Sequence, residues 1–396
     1  MEFTRDVVIV GGCGHVGLPL GLAFADRGLT VALYDVDEAA VRTVSSGTMP
    51  FDEPGAPPVL ARVVGRNLVA TSDPAAVATA ECVVVVIGTP VDEHLNPDPL
   101  AVPQAVEALG AQLRDGQLVV LRSTLYPGVT RLVAQVVERV GVTADVAFCP
   151  ERIAEGKAMT ELYELPQIVS GHTPAGKERA EKLFRNLTEQ VVHLEPEEAE
   201  LAKLFTNTWR YLRFAIANQL FMIANDYGID FERLRAALAY DYPRAADLPG
   251  AGFAAGPCLF KDTMQLAAFN NNNFVLGHAG MAVNEGLPLY LVACMEKQHD
   301  LRSMTVGILG MAFKADSDDI RSSLSYKLKR ILRFKAAEVL CTDPHVTVDP
   351  SLVPLEEVLE RADLLVIATP HAAYRGLEAR QPVIDIWNLL GGGVVI

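Results

Sequence analysis

The chain has 396 residues, 50% of them hydrophobic and 21% charged, with a formal net charge of −15. Such a length is too great for one ordinary core and predicts two or three domains, while the composition excludes extended disorder. The acidic balance excludes nucleic acid and anionic membrane surfaces as partners, since both are bound through excess Lys and Arg. It leaves room for an anionic small ligand held by helix N-termini and a few placed cations.

No charged leader precedes an apolar run at the N-terminus, where Met1 to Asp6 passes straight into Val7. The most apolar run, Cys82 to Ile87, is far too short to span a bilayer, so a cytoplasmic protein is expected. Six cysteines, at 13, 82, 149, 258, 294 and 341, are scattered without a Cys-x-x-Cys pair or a His-rich partner. Neither a disulfide framework nor a metal site is expected.

Val7 to Val10 reads as a strand leading into Gly11-Gly12-Cys13-Gly14-His15-Val16-Gly17. A small-residue helix follows from Leu18 to Arg27, then a second strand, Thr30 to Tyr34, ending in Asp35. The glycine pattern alone is weak. With a strand before it, a helix after it and an acid about twenty positions on, it predicts dinucleotide binding. Gly12, Gly14, His15, Val16 and Gly17 are the candidate cofactor contacts, with Asp35 on the ribose hydroxyls. A carboxylate there repels a 2′-phosphate, which favours NAD over NADP.

Three further β-branched runs end in small or polar residues: Val83 to Ile87 at Gly88-Thr89-Pro90, Leu118 to Leu121 at Arg122-Ser123-Thr124, and Val146 to Phe148 at Cys149-Pro150-Glu151. Separated by helical stretches, Val102 to Leu113 and Thr130 to Val140, they read as buried strands of a parallel sheet. Ligands of such sheets bind beyond the carboxyl ends of the strands, so Thr89, Thr124 and Glu151 are expected to face the same edge as the glycine loop. Each is also explained as a cap or turn residue, and for Thr89 alone that reading is preferred.

A strand, Gln167 to Ser170, and a helix from about Ala175 to Leu187 precede Glu195 to Tyr227, one long helical stretch with no glycine or proline after Pro196. It carries Lys203 and, one turn later on the same face, Asn207. Gly228-Ile229-Asp230 caps a helix over Phe231 to Ala239, and another helix is expected from His278 to Lys297. Between them lies Gly250-Ala-Gly252-Phe-Ala-Ala-Gly256-Pro257-Cys258-Leu-Phe-Lys261-Asp262, read as a glycine-rich loop passing into a helix near Pro257. Cys258 is then in the first turn, sharing a face with Lys261 and Asp262. The helix dipole and the ammonium favour the nucleophilic thiolate, while Asp262 opposes it and is better suited to orient Lys261 or a water. A buried cysteine beside an exposed Lys–Asp pair explains the same residues, and the stretch alone does not separate the two.

From Met304 a second α/β unit is expected, with strands at Thr305 to Leu309, Glu338 to Thr342 ending at Asp343, Leu364 to Ala368, and Pro382 to Ile384. Its first strand opens into a polar loop from Gly310 to Ser323, where Ser322 or Ser323 caps a helix. Lys314 and Arg321 suit a nucleotide diphosphate and are equally explained as solvated loop charges. The whole predicts an α/β fold of two Rossmann-like domains joined by a central helical domain with a long connecting helix: 1–193 for NAD, 194–300 for the cysteine and a dimer face, and 301–396 for a nucleotide diphosphate.

These pieces, in this order, resemble the UDP-glucose/GDP-mannose dehydrogenase family. The resemblance rests on Gly12 to Gly17, Ser123-Thr124, Pro150-Glu151 with Glu155-Gly156, Lys203 and Asn207, Cys258 with Lys261-Asp262, Gly310 to Arg321, and Asp343-Pro344. It implies NAD-dependent, four-electron oxidation of the C6 alcohol of a nucleotide sugar through a thiohemiacetal and a thioester on Cys258. Lys203 and Asn207 would stabilise oxyanions, Asp262 would order Lys203 or a water, and Glu151 with Thr124 would handle the proton and the hydrolytic water. Glu151, Arg152, Lys203, Asn207, Gly252, Phe313, Lys314 and Arg321 would contact substrate, with Arg244 donated by a neighbouring subunit of at least a dimer. The segments Pro150 to Ala158 and Gly256 to Lys261 are more similar to the branch oxidising UDP-N-acetylmannosamine or UDP-N-acetylglucosamine than to the UDP-glucose branch, and surface polysaccharide biosynthesis is the implied setting. Two rivals remain at this stage: a two-electron hydroxyacid-type dehydrogenase and a non-catalytic nucleotide sensor.

Overall fold

The β-branched runs pair into two sheets because each is apolar on both faces and finds cover only between layers of helices. Residues 3–89, 91, 92, 94 and 96–396 are described by the structure, a computed structural model. Met1 and Pro90, which figure in the expected chain start and in the Gly88-Thr89-Pro90 turn, lie outside them. The chain divides into two units, Met1–Thr206 and Asn207–Ile396.

The first unit runs β1 (Arg5–Val10), α1 (Gly17–Asp26), β2 (Val31–Tyr34), α2 (Glu38–Ser45), α3 (Ala56–Val63), β3 (Leu68–Thr71), β4 (Ala80–Val85), α4 (Ala101–Ala108), β5 (Leu118–Leu121), α5 (Val129–Arg139), β6 (Asp145–Phe148), α6 (Ala158–Glu164), β7 (Gln167–Gly171), α7 (Pro174–Phe184) and β8 (Val191–His193). The strand order is β3-β2-β1-β4-β5-β6-β7-β8, parallel throughout except between β6 and β7. Alternate residues feed opposite cores, Val7, Ile9 and Val84 one and Val8, Val10 and Val83 the other, as the period of two in a strand requires. The strand order reverses at the neighbours β1 and β4, which opens a crevice beyond their carboxyl ends, where the glycine loop lies. The short strands β3 and β8 lie at the two edges of the sheet and carry no long apolar run that marks them in sequence.

The second unit takes in α8 (Pro196–Asp226) from Asn207 onward, then α9 (Phe231–Ala239), α10 (Leu259–Phe269), α11 (Val275–Gln298), β9 (Thr305–Leu309), α12 (Leu324–Leu332), β10 (Glu338–Thr342), α13 (Leu355–Arg361), β11 (Leu364–Ile367) and β12 (Val383–Asp385). Its four strands are all parallel, in the order β10-β9-β11-β12. Asp230 caps α9 by accepting the Glu232 N–H, and Ser323 rather than Ser322 caps α12. The Asn270 to Asn273 run ends α10: Asn270 is the C-cap, and Asn271 and Asn272 take positive φ values of 51° and 57°, which asparagine tolerates better than other side chains.

Several expected boundaries shift: α4 ends at Ala108 rather than Leu113, α7 at Phe184 rather than Leu187, and α11 starts at Val275 rather than His278. Helix α10 starts at Leu259 rather than near Pro257, so Cys258 is its N-cap and not a first-turn residue; its carbonyl accepts the Asp262 N–H at 2.9 Å. The cause is Gly256, whose φ of +101° holds the chain out of a helical path while the Phe313 ring fills the space a Cβ would need, 2.5 Å away. In the glycine loop a Cβ on Gly17 would lie 2.3 Å from the Gly11 carbonyl oxygen and 2.9 Å from the Gly12 Cα. Gly17→Ala is therefore expected to push α1 off β1, costing about 1–3 kcal/mol of stability in thermal or urea unfolding.

Candidate active site

The dinucleotide cradle is backbone, shaped by what its glycines lack. A Cβ on Gly12 would meet Ile9 O and Leu33 Cα at 2.8 Å, so the loop is pressed onto β1 and β2. Gly14 is exposed, with the Gly11 carbonyl oxygen the nearest atom, 3.9 Å from where a Cβ would be, so a pyrophosphate can approach its backbone; that open cradle fits NAD. Val16 is the N-cap of α1. Asp35 follows β2 and folds back over the loop, accepting the Cys13 N–H at 2.9 Å and the Asp37 N–H at 3.0 Å. The His15 ring stacks on Phe51 with centroids 4.0 Å apart, and its Nδ1 lies 4.0 Å from Glu155 Oε2. Beside it the buried Glu53 accepts the Gly156 and Ala158 N–H groups, both at 2.8 Å. Thr89 Oγ1 donates to the Thr124 carbonyl at 3.0 Å, while Ser123 Oγ accepts the Ile87 N–H at 2.8 Å, so the ends of β4 and β5 are tied together.

Glu151 does not stand alone. Its Oε2 accepts from Arg122 Nε at 2.9 Å and Nη2 at 2.6 Å; its Oε1 accepts the backbone N–H groups of Arg152 and Ile153 at 2.7 and 2.9 Å. That fills the roughly four acceptor positions of a carboxylate. Arg122 is fully buried, donates further to the Cys149 carbonyl and Gln167 Oε1, and lies 4.6 Å from the Phe184 ring centroid. Sequence reasoning passed over this arginine. Its signal was position: a cation directly after the apolar run Leu118 to Leu121 has to find an anion when the strand end is covered. The Arg152 guanidinium itself donates to the Pro166 carbonyl.

Of the six free cysteines only Cys258 is exposed. Burial pushes the thiols of Cys13, Cys82 and Cys149 up to about 12 and that of Cys341 up to about 11, out of reach of nucleophilic work at neutral pH. One turn past Cys258, Asp262 has no solvent exposure. Its Oδ1 lies 2.8 Å from Lys261 Nζ, and its Oδ2 accepts from Asn207 Nδ2 at 2.5 Å. Lys203 is half-buried on α8, one turn before Asn207.

The loop before Cys258 is packed at two of its glycines: the Trp387 ring lies 2.2 Å from where a Gly252 Cβ would be, and Phe313 covers Gly256. Lys314 is half-buried, and Arg321 forks onto the Asp319 carboxylate, Nε to Oδ2 at 2.8 Å and Nη2 to Oδ2 at 2.5 Å. Arg244 stands apart on an exposed turn, 5.1 Å from the Tyr242 ring. Behind the Gly310 loop Asp343 accepts the Met311 and Ala312 N–H groups at 2.6 and 2.9 Å and faces His371 Nε2 at 2.9 Å. Asp316, His345 and His371 each bring one ligand-type atom within 4.8 Å of the others, but His371 Nδ1 already accepts the Asp316 N–H at 2.9 Å, so this is a hydrogen-bonded cluster.

Three segments match domains of the UDP-glucose/GDP-mannose dehydrogenase family: the NAD binding domain over residues 6–188, the central domain over 197–285 and the UDP binding domain over 307–392. A UDP-N-acetyl-D-mannosamine dehydrogenase of Yersinia pestis is 31% identical, with 97% of this chain and 99% of that protein covered. Among solved structures, a UDP-D-ManNAc dehydrogenase from Pyrococcus horikoshii superposes with a TM-score of 0.90 at 28% identity, covering 98% of this chain and 97% of that one. A UDP-glucose dehydrogenase from Pyrobaculum islandicum gives 0.89 at 28% identity, with 97% and 94% covered.

Burial raises the Asp343 carboxyl, but the hydrogen bond and charge of His371 and the loop N–H groups outweigh it and hold it at about 2, below the ordinary 3.8. A carboxyl depressed by folding contributes stability that is complete above the ordinary value and is lost as pH falls toward the folded one. That contribution is about 2 kcal/mol. Urea midpoints measured from about pH 5 down to about pH 2 are expected to fall more steeply for the native chain than for Asp343→Asn.

Proposed function

The chain belongs to the UDP-glucose/GDP-mannose dehydrogenase family and is an NAD-dependent nucleotide-sugar dehydrogenase; from that premise we propose that it carries the C6 alcohol of UDP-N-acetylmannosamine to the carboxylate through a thioester on Cys258. The observation that carries the proposal is the single exposed thiol, seated as N-cap of α10 beside a buried, paired carboxylate. The glycine loop from Gly12 to Gly17, with Asp35 beside it, would hold NAD, which would supply the hydride acceptor for both oxidations.

The remaining steps fall to the chain's own groups. After the first hydride leaves, the Cys258 thiolate adds to C6 of the aldehyde; loss of the second hydride from that thiohemiacetal leaves the thioester, and water cleaves it to free thiol and carboxylate. The helix N-terminus at Cys258 favours the thiolate. Lys203 and Asn207 stabilise the oxyanions, with the Asn207 amide fixed by Asp262. Glu151 with Thr124 handles the proton and the hydrolytic water, Glu151 giving up one of its backbone N–H contacts to do so. Phe313, Lys314 and Arg321 hold the uridine diphosphate, Arg321 exchanging Asp319 for phosphate oxygens of matching fork geometry.

The choice of sugar is supported by the names of the relatives and by the segments Pro150 to Ala158 and Gly256 to Lys261. UDP-N-acetylglucosamine and UDP-glucose are the alternatives of the same chemistry, and a four-sugar panel with GDP-mannose separates them. The division into 1–193, 194–300 and 301–396 serves as the functional map, and the product suits surface polysaccharide synthesis in the cytoplasm. Among the described residues no helix is long and apolar enough to cross a membrane.

We also propose a homodimer with Arg244 shared across it. Trp209, Ile216, Leu220 and Ile223 are 58, 51, 39 and 50% exposed on α8, and Tyr227 just past its end is 80% exposed, spaced as a heptad stripe that a second copy of the same helix covers in a two-fold arrangement. Ile216→Glu is expected to shift sedimentation from dimer to single chain.

Cys258→Ser tests the chemistry. The native protein is expected to form about two NADH per sugar consumed, as two hydride departures require, and the variant to lose nearly all overall turnover. One NADH with an unaffected variant favours a simple two-electron dehydrogenase, and none with any sugar favours a sensor.

A further inference from the structure

We infer that Asn218, buried on α8, is the positioning residue that sets where Cys258 stands; the inference rests on the thioester reading above. Asn218 and Asn284 have no solvent exposure. The Asn218 side chain accepts the Gly252 N–H and donates to the Gly252 carbonyl, each at 2.9 Å, and donates also to Asn284 Oδ1 at 2.9 Å. Asn284, from α11, donates in turn to the Tyr211 carbonyl of α8 at 3.1 Å. A side-chain amide carries its donor and its acceptor on two adjacent atoms, so it can close both polar groups of one loop residue as a neighbouring strand would.

Position along α8 gives this clamp its consequence. Asn218 lies eleven residues after Asn207, three helical turns, so both amides leave the same face of the helix. Asn207 grips Asp262 and Asn218 grips Gly252, the two ends of the segment that carries the thiol. Gly252 has a φ of +152°, with the Trp387 ring where a side chain would be, so only glycine fits at the clamped position. Midway, the Gly256 N–H donates to the Ser322 carbonyl at 3.3 Å. Release of the Gly252 end leaves the approach to Cys258 held on its N-terminal side by the single long Gly256–Ser322 bond.

A misplaced thiol has a chemical signature that mere loss of folded protein lacks. The first oxidation still occurs, but the aldehyde is captured late and escapes. For Asn218→Ala, assayed as full-length protein with UDP-N-acetylmannosamine and NAD, kcat is expected to fall about 100-fold, as a displacement of roughly 1 Å at a reacting group can produce. NADH per sugar drops below two, aldehyde is trapped by semicarbazide, and NAD affinity is unchanged. A variant whose activity falls only in proportion to its folded fraction, with two NADH per sugar kept and no aldehyde trapped, overturns the inference. If Asn218→Ala does not fold, Asn284→Ala decides by the same ratio, since it removes the partner that orients the Asn218 amide. Cys258→Ser run in parallel separates the two claims: full turnover in that variant sinks the thioester reading itself, whereas an inactive Cys258→Ser beside an unchanged ratio in the asparagine variants sinks only this one.

Discussion

A carboxylate with no solvent exposure at Asp262 is the constraint on which the thiol site depends, because a buried charge is tolerable only when paired and hydrogen-bonded. Lys261, its sequence neighbour, supplies the charge, and Asn207 supplies the hydrogen bond. The second partner is fifty-five residues away, so satisfying the carboxylate also locks the first turn of α10 onto α8. Cys258, the residue that opens that turn, inherits a fixed place and the positive end of the helix. Removing either partner would leave part of the charge uncompensated and loosen the thiol at the same time.

The two sheets solve the same local problem in different ways. In each, an acid at the end of the second strand accepts N–H groups from the loop after the first strand: Asp35 from Cys13, and Asp343 from Met311 and Ala312. Asp35 is only partly buried, so its oxygens remain within reach of a ribose. Asp343 is sealed under His371 and is committed to holding its loop. This difference gives a physical reason for the dinucleotide to take the first sheet, whose acid stays open to a ribose.

Much of this was legible in the sequence wherever the determining contacts are local. The glycine loop, Asp35, the buried strands, the long helix and the Cys258–Asp262 stretch all lie within short windows whose spacing carries their meaning. What sequence could not show are pairs made by folding: Arg122 with Glu151, Asn218 with Gly252, Asp343 with His371. Each member taken singly has an ordinary reading, as a strand-end cation, a helix asparagine or a turn aspartate. Edge strands β3 and β8 were missed because short, partly exposed strands lack the apolar run that signals a central one. The start of α10 was misplaced by two residues because Phe313, far away in sequence, decides where Gly256 can turn.

The central claim is a covalent bond between Cys258 and the oxidised sugar carbon. Mixing the protein with UDP-N-acetylmannosamine and NAD, quenching in acid within a turnover, and weighing the peptide that carries Cys258 tests it most directly. The account predicts a peptide heavier by the acyl-linked nucleotide sugar, with the added mass removed by hydroxylamine. An unmodified Cys258 peptide throughout a reaction that still makes two NADH per sugar would contradict it.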